Sequence, residues 1–252
     1  MKRIVNYKTF INESAGASTL TPEQIEFLDD HVKRKWKLNA DGVVDVDGDF
    51  NCLNKGISDF KGIVFGKVGG YFDCSYNKLT SLEGCPKEVG GDFYCHYNNL
   101  TSLEDCPKEV GEGFYCSYNN LTSLEGCPKE VGEDFNCSYN NLTSLEGCPE
   151  KVNGEFDCSY NNLTSLEGSP KEVGGEFYFD YSEGASSETL KLIFSKMIEY
   201  QLLYSDVLKS LWKEIPIEDK VLLYTPDLDW VEEDEASKLV KLKKYSNIKK
   251  MI

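Results

Sequence analysis

The sequence predicts an α+β fold in which a repeat solenoid lies between helical segments. Three observations support this prediction. The chain repeats itself every 21 residues from Gly69 to Ser182 with almost no drift, phenylalanine and cysteine each keep one phase of that repeat, and apolar spacing becomes helical on either side of it. Self-similarity at a fixed period of this length is typical of coils that stack on their neighbours.

Each period has the pattern F-x-C-x-Y-N-x-L-T-S-L. Alternation along F-x-C-x-Y places Phe and Cys on the buried face of a short parallel strand and the residues between them outside. We expect the asparagines to satisfy backbone groups that each turning coil leaves unpaired, with one level bonding to the next. Proline in the return half favours extended backbone, so the convex side is predicted to be mostly loop. The asparagine column consists of Asn77, Asn98, Asn119, Asn140 and Asn161.

This pattern resembles the leucine-rich repeat family, whose motif is L-x-L-x-x-N-x-L. Phe and Cys stand at the two inward strand positions, and Leu79, Leu100, Leu121, Leu142 and Leu163 close the motif. The 21-residue length and the C-P-K-E-V-G-G half resemble the short repeats of bacterial effectors and, more closely, of bacteriophage proteins. The resemblance covers nearly half of the chain. It implies a leucine-rich-repeat solenoid with a short parallel sheet on its concave face, which is the usual binding surface of that family.

The segment before the full repeats predicts a cap. Residues 1–40 are expected to form an N-terminal helical cap, because Thr21-Pro22-Glu23-Gln24 combines an N-cap, a proline at the first helical position and a capping box. We expect that helix to run to about Lys35. Residues 41–68 are predicted to be a degenerate first repeat, since Phe50-Asn51-Cys52 matches the motif of the coil that follows. The regular solenoid then covers residues 69–182.

Residues 183–252 predict a C-terminal helical domain. Ser186 or Ser187 can cap a first helix, and Ser205 a second. The apolar residues expected inside these two helices are Leu190, Ile193, Phe194, Met197 and Ile198, followed by Val207, Leu208, Leu211 and Trp212. Two further helices are predicted from Ile217 to Tyr224 and from Glu233 to Tyr245. The domain either caps the stack or makes contacts of its own, and the sequence leaves both readings open.

Composition argues against catalysis, cofactors and metals. The chain has two histidines and no phosphate-binding G-x-x-x-x-G-K-[ST] motif. Bacterial leucine-rich-repeat ubiquitin ligases use a catalytic cysteine after the repeats, whereas no cysteine follows Cys158. We therefore expect no enzymatic activity. The cysteine columns lack the C-x-x-C spacing of a zinc site, and we expect all ten cysteines to be buried free thiols.

The candidate partner-binding residues are the outward strand positions, which vary between coils while the framework does not. They are Tyr71, Asp73, Asp92, Tyr94, His96, Tyr115, Asp134, Asn136, Glu155, Asp157, Glu176 and Tyr178. Tyr is concentrated in binding hot spots, and carboxylates complement a basic protein surface. Nucleic acid is disfavoured on this face, since its phosphates would be repelled. A neighbouring tyrosine column is either a structural ladder or part of the same surface, and it contains Tyr76, Tyr97, Tyr118, Tyr139, Tyr160 and Tyr181.

Charge and apolar content indicate where such a module would act. The repeats hold 20 Asp and Glu against 6 Lys, a net charge of −14 out of −16 for the 252-residue chain. No apolar run approaches the roughly 20 residues that span a membrane, and the first residues are too polar for a secretory signal. We expect a cytoplasmic monomer, inside the infected host cell if a phage encodes it.

The functional prediction is a non-catalytic protein-binding module. Its partner is expected to be a host or phage protein with a basic surface, and as a phage protein it would bind and inhibit a host defence protein. Two alternatives remain open. One is an acidic nucleic-acid mimic that occupies a DNA-binding protein. The other is a structural or virion component.

Overall fold

The computed structural model describes residues 19–164, 166–180, 187–199, 209, 212–226 and 228–249. Its central feature is a stack of seven coils, each of which contributes one strand to each of two sheets. Equivalent residues of consecutive coils pair in parallel and in register, as Phe93 does with Phe114. This arrangement confirms the predicted solenoid of stacked parallel strands.

The first sheet, called the Phe sheet here, has seven two-residue strands that begin at the repeated phenylalanines. They are β3 (Phe50–Asn51), β5 (Phe72–Asp73), β7 (Phe93–Tyr94), β9 (Phe114–Tyr115), β11 (Phe135–Asn136), β13 (Phe156–Asp157) and β15 (Phe177–Tyr178). The Phe rings stack inside the solenoid with consecutive centroids 4.7 to 5.8 Å apart. Cys52 lies in the inward cysteine column, so that column holds six thiols rather than the five of the full coils.

The second sheet, called the Val sheet, lies on the return side of the coils. Its eight strands are β1 (Trp36–Leu38), β2 (Val44–Val46), β4 (Phe65–Val68), β6 (Glu88–Val89), β8 (Glu109–Val110), β10 (Glu130–Val131), β12 (Lys151–Val152) and β14 (Glu172–Val173). Most of each return segment is loop, as predicted. The structure adds a short strand wherever the repeated Val turns its side chain into the core.

A ladder of buried asparagines joins the coils. The side-chain amide of Asn119 donates to the carbonyls of Cys95 and Cys116 at 3.1 Å and of Ser117 at 3.3 Å, and its Oδ1 accepts the Leu100 N–H at 3.0 Å. The equivalent asparagines repeat this pattern. Each asparagine therefore bonds within its own coil and to the preceding coil, which confirms the predicted role of the column.

The N-terminal cap consists of a helix and an antiparallel strand. Helix α1 (Pro22–His31) begins with the predicted capping box, in which Thr21 and Gln24 bond reciprocally. It ends at His31 rather than near Lys35, because Val32 becomes extended and forms an antiparallel bridge with Phe50. Strand β1 pairs antiparallel with β2 and covers that edge of the Val sheet.

Helices follow the solenoid, in agreement with the predicted α+β class. They are α2 (Ser187–Glu199), α3 (Ile217–Leu223) and α4 (Glu233–Lys249), and residues 212–214 are also helical. Leu190, Ile193, Phe194 and Met197 are buried, as expected for the inner face of α2. The predicted residues Ser186, Ser205, Val207, Leu208, Leu211 and Tyr181 lie outside the described residues, as do residues 1–18. In the described part of the chain, every helix is too short or too polar to cross a bilayer.

Candidate partner-binding face

The outward side chains of the Phe sheet form one surface, which we call the strand face. All twelve predicted partner-binding residues lie on it. One column is in register from Asp73 through Tyr94, Tyr115, Asn136 and Asp157 to Tyr178. The residues that precede each Phe form a second column beside it, and His96 lies two residues beyond Tyr94, just after the end of β7. Adjacent columns on one sheet can present a continuous contact surface to a partner.

The half of the strand face nearer the N-terminus is aromatic. The rings of Tyr94 and Tyr115 stack with centroids 4.9 Å apart and an interplanar angle of 12°, and Tyr71 meets Tyr94 edge-on at 6.5 Å. The ring of Tyr115 lies against Gly113, where an added Cβ would come within 2.5 Å of the ring carbon Cε2. The absence of a side chain at Gly113 therefore creates the space that Tyr115 occupies.

The other half of the strand face is acidic. Glu155 and Glu176 are exposed, and the Tyr178 hydroxyl donates to the Glu176 carboxylate. The Asp157 carboxylate accepts the Ser159 N–H at 2.9 Å and the Asn136 side-chain amide at 3.2 Å. The strand face thus changes from stacked tyrosines to carboxylates along the coil axis.

Two of the predicted acidic residues also hold the coils together. The Oδ1 atom of Asp92 accepts the backbone N–H of Gly113 at 2.8 Å, and the Oδ1 atom of Asp134 accepts that of Glu155 at the same distance. Each aspartate therefore joins its coil to the next coil. Sequence reasoning assigned them only a binding role. The signal for their second role was the recurrence of Asp immediately before the repeated Phe, but the sequence did not show which backbone group the carboxylate would bind.

Neighbouring carboxylates and burial control the ionisation of the tyrosines. Burial raises the pKa of Tyr94, and the hydrogen bond from its hydroxyl to Asp92 at 2.8 Å raises it further. Burial also raises the pKa of Tyr115 to about 12, with the charges of Asp134 and Asp92 adding to the shift. The hydrogen bond to Glu176 raises the pKa of Tyr178 to about 12. These hydroxyls therefore stay protonated and can act as hydrogen-bond donors at neutral pH.

His96 lies where the strand face meets the tyrosine column. Its ring centroid is 5.4 Å from that of Tyr76, 5.9 Å from Tyr94 and 5.8 Å from Tyr97. Its Nδ1 atom is buried and makes no hydrogen bond within the described part of the chain. Burial lowers the pKa of His96, and the charge of Asp73 opposes that shift. The histidine is consequently a neutral aromatic contact at pH 7.

The tyrosine column forms a regular stack on the surface, which we call the tyrosine ladder. Its described members are Tyr76, Tyr97, Tyr118, Tyr139 and Tyr160, whose neighbouring ring centroids are 4.1 to 4.3 Å apart with interplanar angles of 9 to 16°. Each has a left-handed backbone with φ between 52 and 55°. Neighbouring tyrosines cover both faces of the three inner rings, Tyr97, Tyr118 and Tyr139, whose side chains remain partly exposed.

The described residues contain no group of three or more His, Cys, Asp or Glu placed to hold a metal ion. All ten cysteines are free thiols in the structure, eight of them buried. Burial raises the pKa of Cys148 to about 12, and that of Cys106 likewise to about 12. Such thiols are protonated at neutral pH and pack as small apolar side chains.

No protein-family model, curated protein or solved structure matches this chain. The likeness to leucine-rich repeats therefore rests on the coil itself: a period of about 21 residues, parallel strands in register and a buried asparagine ladder. These features show a repeat solenoid that is consistent with leucine-rich repeats, and they leave its partner to be inferred from the surface.

Proposed function

We propose that this protein is a non-catalytic module that binds a protein with a basic surface on the strand face. One observation carries the proposal. The buried Phe, Cys and Asn columns are nearly the same in every coil, whereas the strand face differs from coil to coil and separates into an aromatic and an acidic half. A surface of this kind suits one particular partner rather than a repetitive ligand.

The two halves of the strand face support different parts of such binding. Stacked Tyr94 and Tyr115 offer rigid contact area with hydroxyls at the rim, which is how tyrosine contributes to interface hot spots. Glu155, Asp157 and Glu176 offer negative charge, which selects basic partners and accelerates their encounter. Lysine or arginine side chains on the partner would face the acidic half, with apolar groups near the tyrosines.

The repeat's resemblance to bacteriophage proteins supports an origin in a phage and a partner in the infected bacterium. A host defence protein is the partner class we propose, inhibited because the module occupies its basic surface. The ten free thiols are consistent with the reducing cytoplasm in which such an encounter would take place. We propose that the module acts there as a monomer.

The test is affinity capture from bacterial lysate with mass spectrometry of the retained proteins. The acidic-half variant carries Glu155→Gln, Asp157→Asn and Glu176→Gln. Asn at 157 can keep the turn, because Asn136 already accepts the N–H of Ser138 at 3.1 Å in the preceding coil. The control variant carries Glu109→Gln, Glu125→Gln and Glu130→Gln, which changes the net charge equally on the return segments.

We expect the wild type and the control to retain the same basic protein. The acidic-half variant should retain at least tenfold less of that protein. Adding Tyr94→Ala and Tyr115→Ala to an otherwise wild-type chain should weaken capture independently of salt. Equal capture by the acidic-half variant and the control would reject the strand face as the binding surface.

A second candidate function, nucleic-acid mimicry, is favoured by the Val sheet. Glu88 and Glu109 pair in register on its outer side, and Glu130 follows one coil later. A line of carboxylates at strand spacing can occupy a basic groove that normally holds phosphates. Duplex DNA would then compete for the partner, and the Glu109, Glu125 and Glu130 variant, rather than the acidic-half variant, would lose it.

A further inference from the structure

The tyrosine ladder has a backbone that does not require tyrosine. A left-handed backbone is unfavourable for a bulky side chain, and Asn or Gly adopts it more readily. Asn54 takes the equivalent position in the opening coil with φ of 54°, nearly the value found for Tyr97 and Tyr118. The turn therefore accommodates a smaller residue, yet five coils in succession place a tyrosine there.

A shallow groove of about 740 Å³ runs along the ladder. Every residue that lines it is Tyr or Asn, in an otherwise strongly acidic protein. The ladder tyrosines, the asparagines of the ladder that joins the coils, and the exposed Asn99, Asn120 and Asn141 line the groove. The groove is thus uncharged and offers hydroxyl and amide groups in every coil.

The exposed asparagines are free to bind a ligand. The side chains of Asn99, Asn120 and Asn141 make no hydrogen bond to any residue that the structure describes. Thr101 and Thr122, two positions further along their coils, are exposed as well. An amide supplies two donor hydrogens and an acceptor oxygen, so the three successive coils that carry Asn99, Asn120 and Asn141 present the same unused set of groups.

These columns differ from the strand face in one decisive respect. Tyr, Asn and Thr occupy the same positions in successive coils, whereas the strand-face residues change. Identical sites at a constant spacing of about 4.8 Å suit a ligand that is itself a chain of identical units. Weak contacts to each unit then add along the chain, because every unit after the first binds at a high effective concentration.

We propose that the groove beside the tyrosine ladder binds a linear, uncharged glycan that lies along the coil axis. Its hydroxyl groups meet the exposed amides of Asn99, Asn120 and Asn141 and the tyrosine hydroxyls. Its sugar rings contact the edges of the tyrosine rings, since the ring faces are covered by neighbouring tyrosines. Anionic polymers are excluded by the net charge of −16. This site stands independently of the protein partner proposed for the strand face.

The test is calorimetric titration of the full chain with cello-, xylo-, manno- and N-acetylchito-oligosaccharides of two to six units, with hyaluronan as the anionic comparison. For at least one neutral series we expect affinity to rise at least tenfold from the dimer to the hexamer. The triple variant Asn99→Ala, Asn120→Ala and Asn141→Ala should lose at least tenfold in affinity. A variant with Glu109→Ala and Glu130→Ala on the Val sheet should bind as wild type does.

A second set of variants separates binding from folding. Tyr97→Asn and Tyr118→Asn keep a residue that tolerates the left-handed backbone, and circular dichroism and urea unfolding verify that the solenoid is retained. Loss of glycan binding in a folded Tyr97→Asn, Tyr118→Asn protein supports the site. The proposal is overturned if no neutral glycan binds at millimolar concentration or if hyaluronan binds better. It is equally overturned if the triple asparagine variant binds unchanged.

Discussion

The ring of Tyr115 occupies the space above Gly113 in which other coils carry a side chain. Asp92 and Asp134 stand at the equivalent positions of the neighbouring coils, and both contact the tyrosine system through their carboxylates: Asp92 accepts the Tyr94 hydroxyl at 2.8 Å and Asp134 accepts the Tyr115 hydroxyl at 3.4 Å. The single glycine in this column thus determines where a tyrosine ring can lie over the column.

The substitution Gly113→Asp, which introduces the residue found at the equivalent positions 92 and 134, should displace Tyr115 from its stack with Tyr94. An added Cβ would lie 2.5 Å from Cε2 of the ring, and only a movement of the ring can relieve this steric clash. We expect a changed near-ultraviolet circular dichroism signal of tyrosine and a loss of about 0.5–1.5 kcal/mol in the free energy of unfolding, the usual contribution of an aromatic pair. The Glu155→Asp variant, in the same column but without a ring above it, is the control. An unaltered tyrosine signal in Gly113→Asp would contradict the packing described.

Adjacent asparagines in one coil should differ sharply in their effect on stability. Asn119→Ala leaves the buried Leu100 N–H without its acceptor and removes one of the donors to the carbonyls of Cys95, Cys116 and Ser117. An unsatisfied buried group costs about 1–3 kcal/mol, so we expect a total loss of about 3 kcal/mol in the free energy of unfolding. Asn120→Ala changes an exposed side chain, and its effect should stay within about 0.5 kcal/mol. Urea unfolding measures both, and similar losses for the two variants would disprove the ladder.

His96 should make stability depend on pH below neutrality. Burial lowers its pKa in the folded protein, so the unfolded chain binds the proton more tightly. The free energy of unfolding therefore has its full value above the pKa of about 6.5 that His96 has in the unfolded chain. It falls as the pH decreases from there toward the pKa of His96 in the folded protein. His96→Ser introduces the residue that Ser75, Ser117, Ser138 and Ser159 provide in other coils. Between pH 8 and pH 5, the urea midpoint should fall more for wild type than for this variant. Parallel curves would show that His96 has no such effect.

One coil carries a reversed charge pair on the Val sheet, and this pair forms salt bridges with the next coil. In one coil the order is Glu150-Lys151 instead of Lys-Glu, and it places Lys151 3.6 Å from Glu172 and Glu150 2.5 Å from Lys171. The double variant Glu150→Lys, Lys151→Glu should slightly lower the urea midpoint at low ionic strength, because like charges then stand in register. The difference should vanish near 1 M NaCl, where charges are screened within about 3 Å. A difference that persists at high salt would indicate a change in packing instead.

The sequence predicted those features of the fold that repeat. Phe93, Cys95 and Asn98 recur at fixed spacing, so their inward direction and the bonding of the asparagines between coils followed from the pattern. The two-residue strands of the Val sheet were not predicted, because Glu88-Val89 is too short to show an alternation. The end of α1 was placed too late, since the bridge between Val32 and Phe50 joins residues distant in sequence.

Less of the candidate site could be predicted from the sequence. The alternation of the strand shows that Asp92, Tyr94 and His96 face outward, and the structure places them so. It could not show that the Asp92 carboxylate bonds to the backbone of Gly113, or that His96 touches two sets of tyrosines. Such contacts depend on side-chain rotation and on the neighbouring coil, which a pattern within one coil does not contain.

The asparagine ladder gives the solenoid a direction. The amide of Asn98 needs the carbonyl of Cys74, which belongs to the coil made before it, and its oxygen receives the Leu79 N–H of that same earlier coil. During synthesis, the side-chain amide of each new ladder asparagine consequently meets its acceptor in the preceding coil already in place, and the opening coil supplies the first such acceptor through Cys52. The coils can therefore add to the stack in the order in which they leave the ribosome. A chain shortened at its N-terminus would lack the carbonyls to which the first ladder asparagines donate.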